Sequence, residues 1–327
     1  MSQGKNIELS LVIPVLNEQD SLQGLYGEIV QALGERYSYE VIFVDDGSSD
    51  GSFKVLEGLH KNDPRVRVIR LRRNFGQTAA LAAGFRHSRG RVILPLDADG
   101  QNDPADIPAL VARLSEGFDI VSGWRRDRKD TLVTRKIPSR LANWLISRIT
   151  GVHLHDFGCT LKAYRAESLR EIRLYGEMHR FIPALASWGG ERVTEMEVNH
   201  RPRRTGKTKY GLARTFKVIL DLMTVKFLAS FSTKPIYVFG GLGGICFLGS
   251  VLTGLVVLYS KFLSEPPLNI NRNPLFVLSM MLMTAAIQFV MMGLLAEILV
   301  RTYHESQDRP TYAIETILET PDDAERA

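Results

Sequence analysis

Residues 94–104 read Leu-Pro-Leu-Asp-Ala-Asp-Gly-Gln-Asn-Asp-Pro, an apolar run from Arg91–Leu96 that stops at two carboxylates, Asp97 and Asp99. The same pattern recurs upstream. Leu9–Leu16 (LSLVIPVL) ends in Asn17-Glu18, and Tyr39–Val44 ends in Asp45-Asp46-Gly47. Val66–Leu71 and Asp119–Ser122 are further short strands. Between them lie stretches with helical spacing of apolar residues: Asp20–Glu35 (Leu22, Leu25, Ile29, Leu33), Ser52–Leu59, the Ala-rich Thr78–Ser88 and Ala105–Leu114. Strands alternating with helices predict an α/β domain, a Rossmann-like, mainly parallel sheet covered on both faces. Ligands of such sheets sit beyond the carboxyl ends of the strands. The three polar clusters are therefore expected to meet around one pocket.

The rest of the chain divides by hydropathy. Its 327 residues suit one sizeable α/β domain plus an appendage. Beyond about Thr233 come two long apolar stretches. Ile236–Tyr259 has no charged residue, and Leu275–Val300 has only Gln288 and Glu297 as strongly polar members. Each is long enough to cross a bilayer core of ~30 Å. A buried helical pair in a soluble protein is the competing reading, and the length and uniform apolarity count against it. Lys and Arg fall mainly outside the pair: Arg214, Lys217, Lys226 and Lys234 before it, Arg301 and Arg309 after it, and only Lys261 and Arg272 in the connection. The positive-inside tendency then puts both termini and the α/β domain in the cytoplasm of a multi-pass inner (plasma) membrane protein. Met1–Leu9 lacks an apolar core behind a basic start, so no cleaved leader is expected. Leu212–Phe231 carries apolar residues at helical spacing with interleaved cations. It reads as an amphipathic segment on the membrane surface or as a helix packed on the α/β domain. The expected organisation is a catalytic domain at residues 1–210, juxtamembrane helices at 211–233, a two-helix membrane hairpin at 234–303 and a partly disordered tail at 304–327.

Composition narrows the partners. The net charge of +5 fits nucleic acid, anionic lipid or phosphate ligands, and the apolar stretches select membrane and phosphate. No nucleic acid is expected. Two distant cysteines, Cys159 and Cys246, make neither a zinc cluster nor an evident disulfide. Gly240 and Gly244, followed by Gly249, allow close helix packing, within one chain or in a homo-oligomer.

A D-x-D pair on its own is most simply a solvated acidic turn. Two carboxylates this close need a compensating cation or donors. In a pocket, Asp99 and Gln101 would face a hard divalent ion and Asp97 the nucleotide. Val41–Gly51 (VIFVDDGSSDG) supplies a second acidic turn whose carboxylates can accept from a uracil or ribose. Asn74–Gln77 adds a polar turn before the Ala-rich helix.

Taken together, IPVLNE, VDDGSSDGS, RNFGQTAALAAGF, LDADGQNDP, HDFGCTLKAYR and RRTGKTKYG resemble the family-2 glycosyltransferases of GT-A fold. Within them the chain resembles the polyprenyl-phosphate glycosyltransferases, from about Leu11 to Tyr210, and the two apolar spans match the membrane-anchored branch. The resemblance implies that Pro14, Asn17 and Glu18 line a nucleotide pocket, with Asp45 and Asp46 near base and ribose. It implies that Asp97 contacts nucleotide or metal, and that Asp99 and Gln101 bind Mg²⁺ or Mn²⁺. Arg125 and Arg135 match basic positions near the acceptor phosphate. Arg203 and Lys209 match a loop that closes on the phosphates, although the run His200–Lys209 could equally bind anionic lipid head groups. Asp156 matches an acid assigned as general base. His179-Arg180-Phe181 would either line the acceptor site or pack, and Trp124 reads as packing.

The implied reaction moves a sugar from a UDP- or GDP-sugar to a polyprenyl phosphate in the membrane, with inversion. UDP-glucose is the first choice of donor, with GDP-mannose and UDP-4-amino-4-deoxyarabinose derivatives as alternatives. An alkyl phosphate has its second pKa near ~6, so the nucleophile is already ionised at neutral pH. Asp156 is therefore expected to orient the sugar or a cation rather than to take a proton. Two rivals stand beside this reading. A processive polysaccharide synthase would need a Q-x-x-R-W-type motif and more spans. An inactive nucleotide-sugar-binding scaffold would more often have lost Asp97, Asp99 or Gln101.

Overall fold

The computed structural model describes residues 7–126, 147–148, 150–170, 172, 174, 178–201, 236–262, 273–306 and 312–319. Arg135, Arg203, Lys209 and the amphipathic segment at 211–233 lie outside them. The chain divides into two compact units, one formed by Met1–Val225 together with Pro310–Ala327, the other by Lys226–Arg309.

The first unit is built on eight strands: β1 (Leu9–Val15), β2 (Tyr39–Asp45), β3 (Val66–Leu71), β4 (Val92–Pro95), β5 (Ile120–Trp124), β6 (Lys162–Arg165), β7 (Val193–Glu197) and β8 (Ile314–Leu318). They form one sheet in the order β7-β5-β6-β4-β1-β2-β3-β8. β1 is parallel to β2, with Val15 beside Asp45, and to β4, with Val12 beside Pro95. β2 is parallel to β3. Strand order thus reverses between β1 and β4, the place in such sheets beyond whose carboxyl ends ligands bind.

Side-chain alternation explains why the strands read as continuous apolar runs. Leu11, Ile13, Val41 and Phe43 face one core with α1 (Gln19–Leu33), α2 (Ser52–Asn62) and α4 (Ile107–Ser115). Val12, Ile42 and Val44 face the other with α3 (Gln77–Arg86). The Ala-rich α3 lies very close to β1, and a Cβ on Gly84 would fall 2.2 Å from Val12 Cγ1.

The sheet is mixed, with four of its seven strand pairings among the described residues parallel. β6 runs antiparallel to both neighbours, β4 and β5, while β7 is parallel to β5. The residues before β6 already lie at the carboxyl rim, so the strand starts where the parallel ones end. After β6 come α5 (Ala166–Arg170), a 3₁₀ turn (Met178–Phe181) and α6 (Ile182–Trp188). Phe181 and Ile182 of that stretch are buried in the core beside α3.

The tail read as poorly ordered contains β8, which pairs antiparallel with β3. Its alternation is too short and too charged to stand out from the surrounding polar sequence.

The second unit contains α7 (Ile236–Phe262) and α8 (Pro274–Ser306). Phe239–Phe262 and Pro274–Ala296 are long and apolar enough to cross a membrane, and only 17% and 6% of their apolar windows are buried. A core helix would be mostly covered. Ser250 Oγ donates to Ser279 O at 2.8 Å, and Ser279 Oγ returns a bond to Ser250 O at 3.0 Å. The glycines at the contact include Gly243, Gly249 and Gly254, where a Cβ would meet Ala286 O at 3.1 Å, Leu282 Cδ1 at 3.4 Å and Ser279 Oγ at 3.3 Å. Gly240 and Gly244 have nothing within 4 Å, so they do not make the α7–α8 contact.

Candidate active site

At the carboxyl rim, the loop after β1 is tied to the loop after β2. Asn17 takes φ 54°, a left-handed conformation that Asn tolerates better than most residues. Its Oδ1 accepts from Ser49 N at 2.8 Å and Asp50 N at 3.3 Å, and its own N–H donates to Ser48 Oγ at 3.0 Å. Glu18 N–H donates to Ser52 Oγ at 3.0 Å. Ser21 Oγ then reaches Ala98 O in the loop after β4 at 2.7 Å. Pro14 sits within β1 opposite Val44.

The two carboxylates ending β2 have different surroundings. Asp45 is fully buried. Its Oδ1 accepts from Ser48 N at 3.0 Å, while Oδ2 makes no hydrogen bond among the described residues and has the Arg70 guanidinium at 3.6 Å. Such an atom is costly to leave without a donor. Asp46 accepts from Phe75 N at 2.7 Å and Gly76 N at 2.9 Å, which pins the turn before α3. Burial pushes the Asp46 carboxyl up from its ordinary value, the two N–H bonds pull it back, and Asp45 adds to the rise. Gly47 between these loops has φ 71°, and a Cβ there would lie 2.6 Å from the Arg73 carbonyl carbon.

The next residue after that turn carries the network onward. Gln77 Nε2 donates to Asp97 Oδ1 at 2.9 Å, and Thr160 Oγ1 donates to Asp97 Oδ2 at 2.7 Å. Both oxygens of Asp97 are thus held by neutral donors, which fix its rotamer. Thr160 belongs to the segment that carries Asp156. Asp156, 4% exposed, takes a two-point ion pair from Arg125 at the end of β5, with Nε to Oδ2 at 2.7 Å and Nη2 to Oδ1 at 3.1 Å. Gly158 N–H adds a bond to Oδ1 at 3.0 Å. Lys162, 2% exposed, donates to the carbonyls of Phe157 and Cys159, and burial pushes its pKa down. Trp124 stacks on His155 with ring centroids 4.3 Å apart. Together these contacts clasp the 155–162 segment to β5.

Of the residues the sequence singles out, Asn17, Glu18, Asp45, Asp46, Asp97, Asp99, Gln101, Arg125 and Asp156 all lie at one rim of the sheet. Bonds through residues 75–77 and Thr160 tie together Asp46, Asp97 and the segment that carries Asp156, while Asp99 accepts from Gln101 within its own loop. Gln77 and Thr160 stand in quoted segments, but nothing in their spacing marks them as partners of Asp97. His179 is a partner of α3, its Nδ1 2.7 Å from Thr78 Oγ1. Burial holds its pKa down to about 3, with Arg180 and Lys162 acting in the same direction. An open cleft of about 400 Å³ lies at the same rim, lined by residues that include Asp103, Asp106, Arg126, Glu197 and Arg201. Its charges are already matched: Arg201 pairs with Glu28 at 2.6 Å and Asp103 at 2.7 Å, and Arg126 pairs with Glu197 at 2.8 Å. The carboxylate cluster, with an unsatisfied buried oxygen, is the better candidate for ligand chemistry.

The donor set after β4 fits a hard divalent cation. Asp99 is half-buried, and its Oδ1 is oriented by Gln101 N–H at 3.1 Å. Carboxylate and amide oxygens are what Mg²⁺ and Mn²⁺ prefer. Among the described residues no three His, Cys, Asp or Glu side chains form a closed metal cage. Mg²⁺ sites commonly use one or two carboxylates and complete their shell with substrate phosphates and water.

The comparisons with known proteins agree with this geometry. The family model for glycosyl transferase family 2 matches residues 10–173. A dodecaprenyl-phosphate galacturonate synthase of Rhizobium johnstonii is 42% identical over 324 residues, covering 96% of this chain and 94% of that one. An undecaprenyl-phosphate 4-deoxy-4-formamido-L-arabinose transferase of Edwardsiella ictaluri is 38% identical over 323 residues, covering 97% of each. Among solved structures, glucosyl-3-phosphoglycerate synthase from Mycobacterium tuberculosis in complex with Mn²⁺, UDP and glucosyl-3-phosphoglycerate superposes with a TM-score of 0.54 at 18% identity, over 68% of this chain and 80% of that one. That similarity is one of fold, and it makes the sheet and its helices a GT-A domain. The chain belongs to glycosyl transferase family 2.

Proposed function

We propose that this protein transfers a sugar from a nucleotide-sugar to a polyprenyl phosphate at the inner-membrane surface, giving a lipid-linked monosaccharide with inverted anomeric configuration. The observation that carries the reading is a rim where Asp45, Asp46, Asp97 and Asp99 follow strands β2 and β4, with Asp46 and Asp97 joined through residues 75–77, set at a strand-order reversal in a chain that also has two membrane-length helices. The full-length relatives act, by name, on dodecaprenyl- and undecaprenyl-phosphate. They turn the choice of sugar away from glucose and toward galacturonate or a 4-deoxy-4-formamido-arabinose carried on UDP. The catalytic unit and both termini face the cytoplasm in this reading, as the Lys and Arg distribution favours.

Each described residue then has a task. Asp45 accepts from the nucleobase through Oδ2, and Asp46 shapes the turn that delivers Gln77. Asn17 and Glu18 hold the first loop against the second, and Pro14 stiffens the strand beneath. Asp97 is held by Gln77 and Thr160 where it meets the nucleotide side of the donor. Asp99 and Gln101 would hold a divalent ion. When bound, Mg²⁺ or Mn²⁺ offsets the negative charge that builds on the leaving diphosphate. Arg125, aimed by Asp156, draws the acceptor phosphate to the anomeric carbon. The acceptor oxygen is ionised at neutral pH, so no side chain has to remove a proton from it. Arg135, Arg203 and Lys209 are assigned to the same phosphates on sequence grounds.

The test uses full-length protein in lipid nanodiscs with undecaprenyl phosphate. UDP-galacturonate, UDP-4-deoxy-4-formamido-arabinose, UDP-glucose and GDP-mannose are supplied in turn, each labelled in the sugar. One donor should give a chloroform-soluble, acid-labile product, and EDTA should abolish it. Failure of every donor to give lipid-linked product or free sugar would favour the scaffold reading.

A further inference from the structure

The strand that follows the second apolar helix does more than close the edge of the sheet. β8 lies against β3 with Arg70 opposite Thr316 and Leu71 opposite Ile314, so Glu315 is the extra residue of a bulge. Bulges re-aim side chains. Here Glu315 Oε2 lies 3.4 Å from Arg70 Nε, and the same Nε lies 3.6 Å from Asp45 Oδ2. The Arg70 guanidinium also rests over the Phe53 ring, 4.3 Å from its centroid. Arg70 is thus held between a carboxylate of the returning strand and the buried carboxylate that ends β2.

Without Glu315, Arg70 has one carboxylate partner and is free to close on Asp45 Oδ2 and occupy it. With Glu315, the guanidinium is shared. Asp45 Oδ2 then remains buried beside the guanidinium but without a hydrogen bond from the described residues. A second carboxylate, on Glu319 immediately after β8, serves a separate network. It pairs with Arg67 at 2.8 Å and Arg89 at 3.4 Å, and Arg67 also meets Glu40 at 2.9 Å. One strand therefore carries a bracing pair and a pair directed at the rim, two residues either side of Ile317.

We propose that Arg70, shared with Glu315 of β8, is a positioning residue that leaves Asp45 Oδ2 without a protein hydrogen bond for the nucleotide to take, which makes the C-terminal strand part of the donor site. This rests on the reading of Asp45 as a nucleotide contact.

The test is calorimetric titration of the full-length protein in nanodiscs with UDP and Mg²⁺. Glu315→Gln should weaken UDP binding about 2- to 5-fold, the range of a partly exposed ion pair. Glu315→Asp should recover most of the loss. Combined with Asp45→Asn, Glu315→Gln should add nothing. Glu319→Gln should lower Tm and leave UDP affinity alone. If Asp45→Asn itself leaves UDP affinity unchanged, the nucleotide role of Asp45 is wrong. If Asp45→Asn weakens binding and Glu315→Gln does not, or does so equally in the Asp45→Asn background, the positioning role of Arg70 and β8 is overturned.

Discussion

Replacing Asp156 with Asn separates an orienting carboxylate from a proton acceptor. The substitution keeps shape and removes charge. Arg125 and Asp156 have side chains 11% and 4% exposed, joined by bonds of 2.7 and 3.1 Å. Breaking a buried pair by removing one partner costs about 3–5 kcal/mol, and Asn retains one acceptor, so about 3 kcal/mol is expected. For a domain of this size that is a fall of roughly 6–12 °C in Tm. Arg125→Gln should cost a similar amount, and the double variant little more than either single one, since a neutral amide pair leaves no uncompensated charge. Turnover should fall roughly 100-fold in both single variants, the scale of a misplaced positioning group. Because the acceptor phosphate ionises near ~6, that loss should be the same at pH 6.5 and pH 8.5. The assay is initial-rate transfer to undecaprenyl phosphate across that range, with donor binding measured in parallel. An Asp156→Asn protein that binds donor normally and loses turnover, beside an Arg125→Gln protein that keeps it, would refute the orienting role and restore a base.

Other expectations follow from neighbouring contacts. Thr160→Val removes the 2.7 Å bond to Asp97 without changing volume and should cut kcat about 10-fold, with Thr160→Ser restoring most of it; an unchanged kcat would remove Thr160 from the site. His179 has a folded pKa of about 3 against 6.5 when unfolded, so only the unfolded chain takes up a proton between those values. Stability from this group is therefore complete above pH 6.5 and falls by about 2 kcal/mol at pH 5, which chemical denaturation of wild type and His179→Gln would detect as a difference in slope. Gly47→Ala places a Cβ 2.6 Å from the Arg73 carbonyl carbon at φ 71° and should lower stability by about 2 kcal/mol while weakening donor binding, read by thermal melts with and without UDP.

Much of the domain was legible because burial on both sheet faces leaves a plain signature. Leu9–Leu16 and Tyr39–Val44 are apolar apart from the buried Ser10 and Glu40 because alternate residues serve different cores, and polar side chains gather where they end. The acidic residues after β1, β2 and β4 could be grouped because parallel neighbours end at one rim. What stayed hidden depended on partners distant in the chain. Thr160 matters through Asp97, and no local pattern pairs a threonine with a carboxylate 63 positions earlier. The antiparallel course of β6 depends on where its preceding loop lies. β8 is five residues in a charged tail, and only β3 gives it a place. In the apolar pair, glycine spacing suggested Gly240, Gly244 and Gly249, and helix rotation sets Gly249 at the contact together with Gly243 and Gly254.

The late arrival of β8 has a consequence for biosynthesis. Leu71, at the end of β3, emerges from the ribosome long before Ile314, which must pair with it. At typical translation speeds the roughly 240 intervening residues take about 12–50 s to make. Throughout that interval the outer edge of β3 presents unpaired N–H and C=O groups, a template for unwanted strand addition. Two apolar helices are also synthesised in that window. The nascent protein must keep one edge of its first-folded unit covered or charged while its most insoluble segment is still being delivered, and Arg67 and Arg70 on that edge are suited to repel a second strand until the tail arrives.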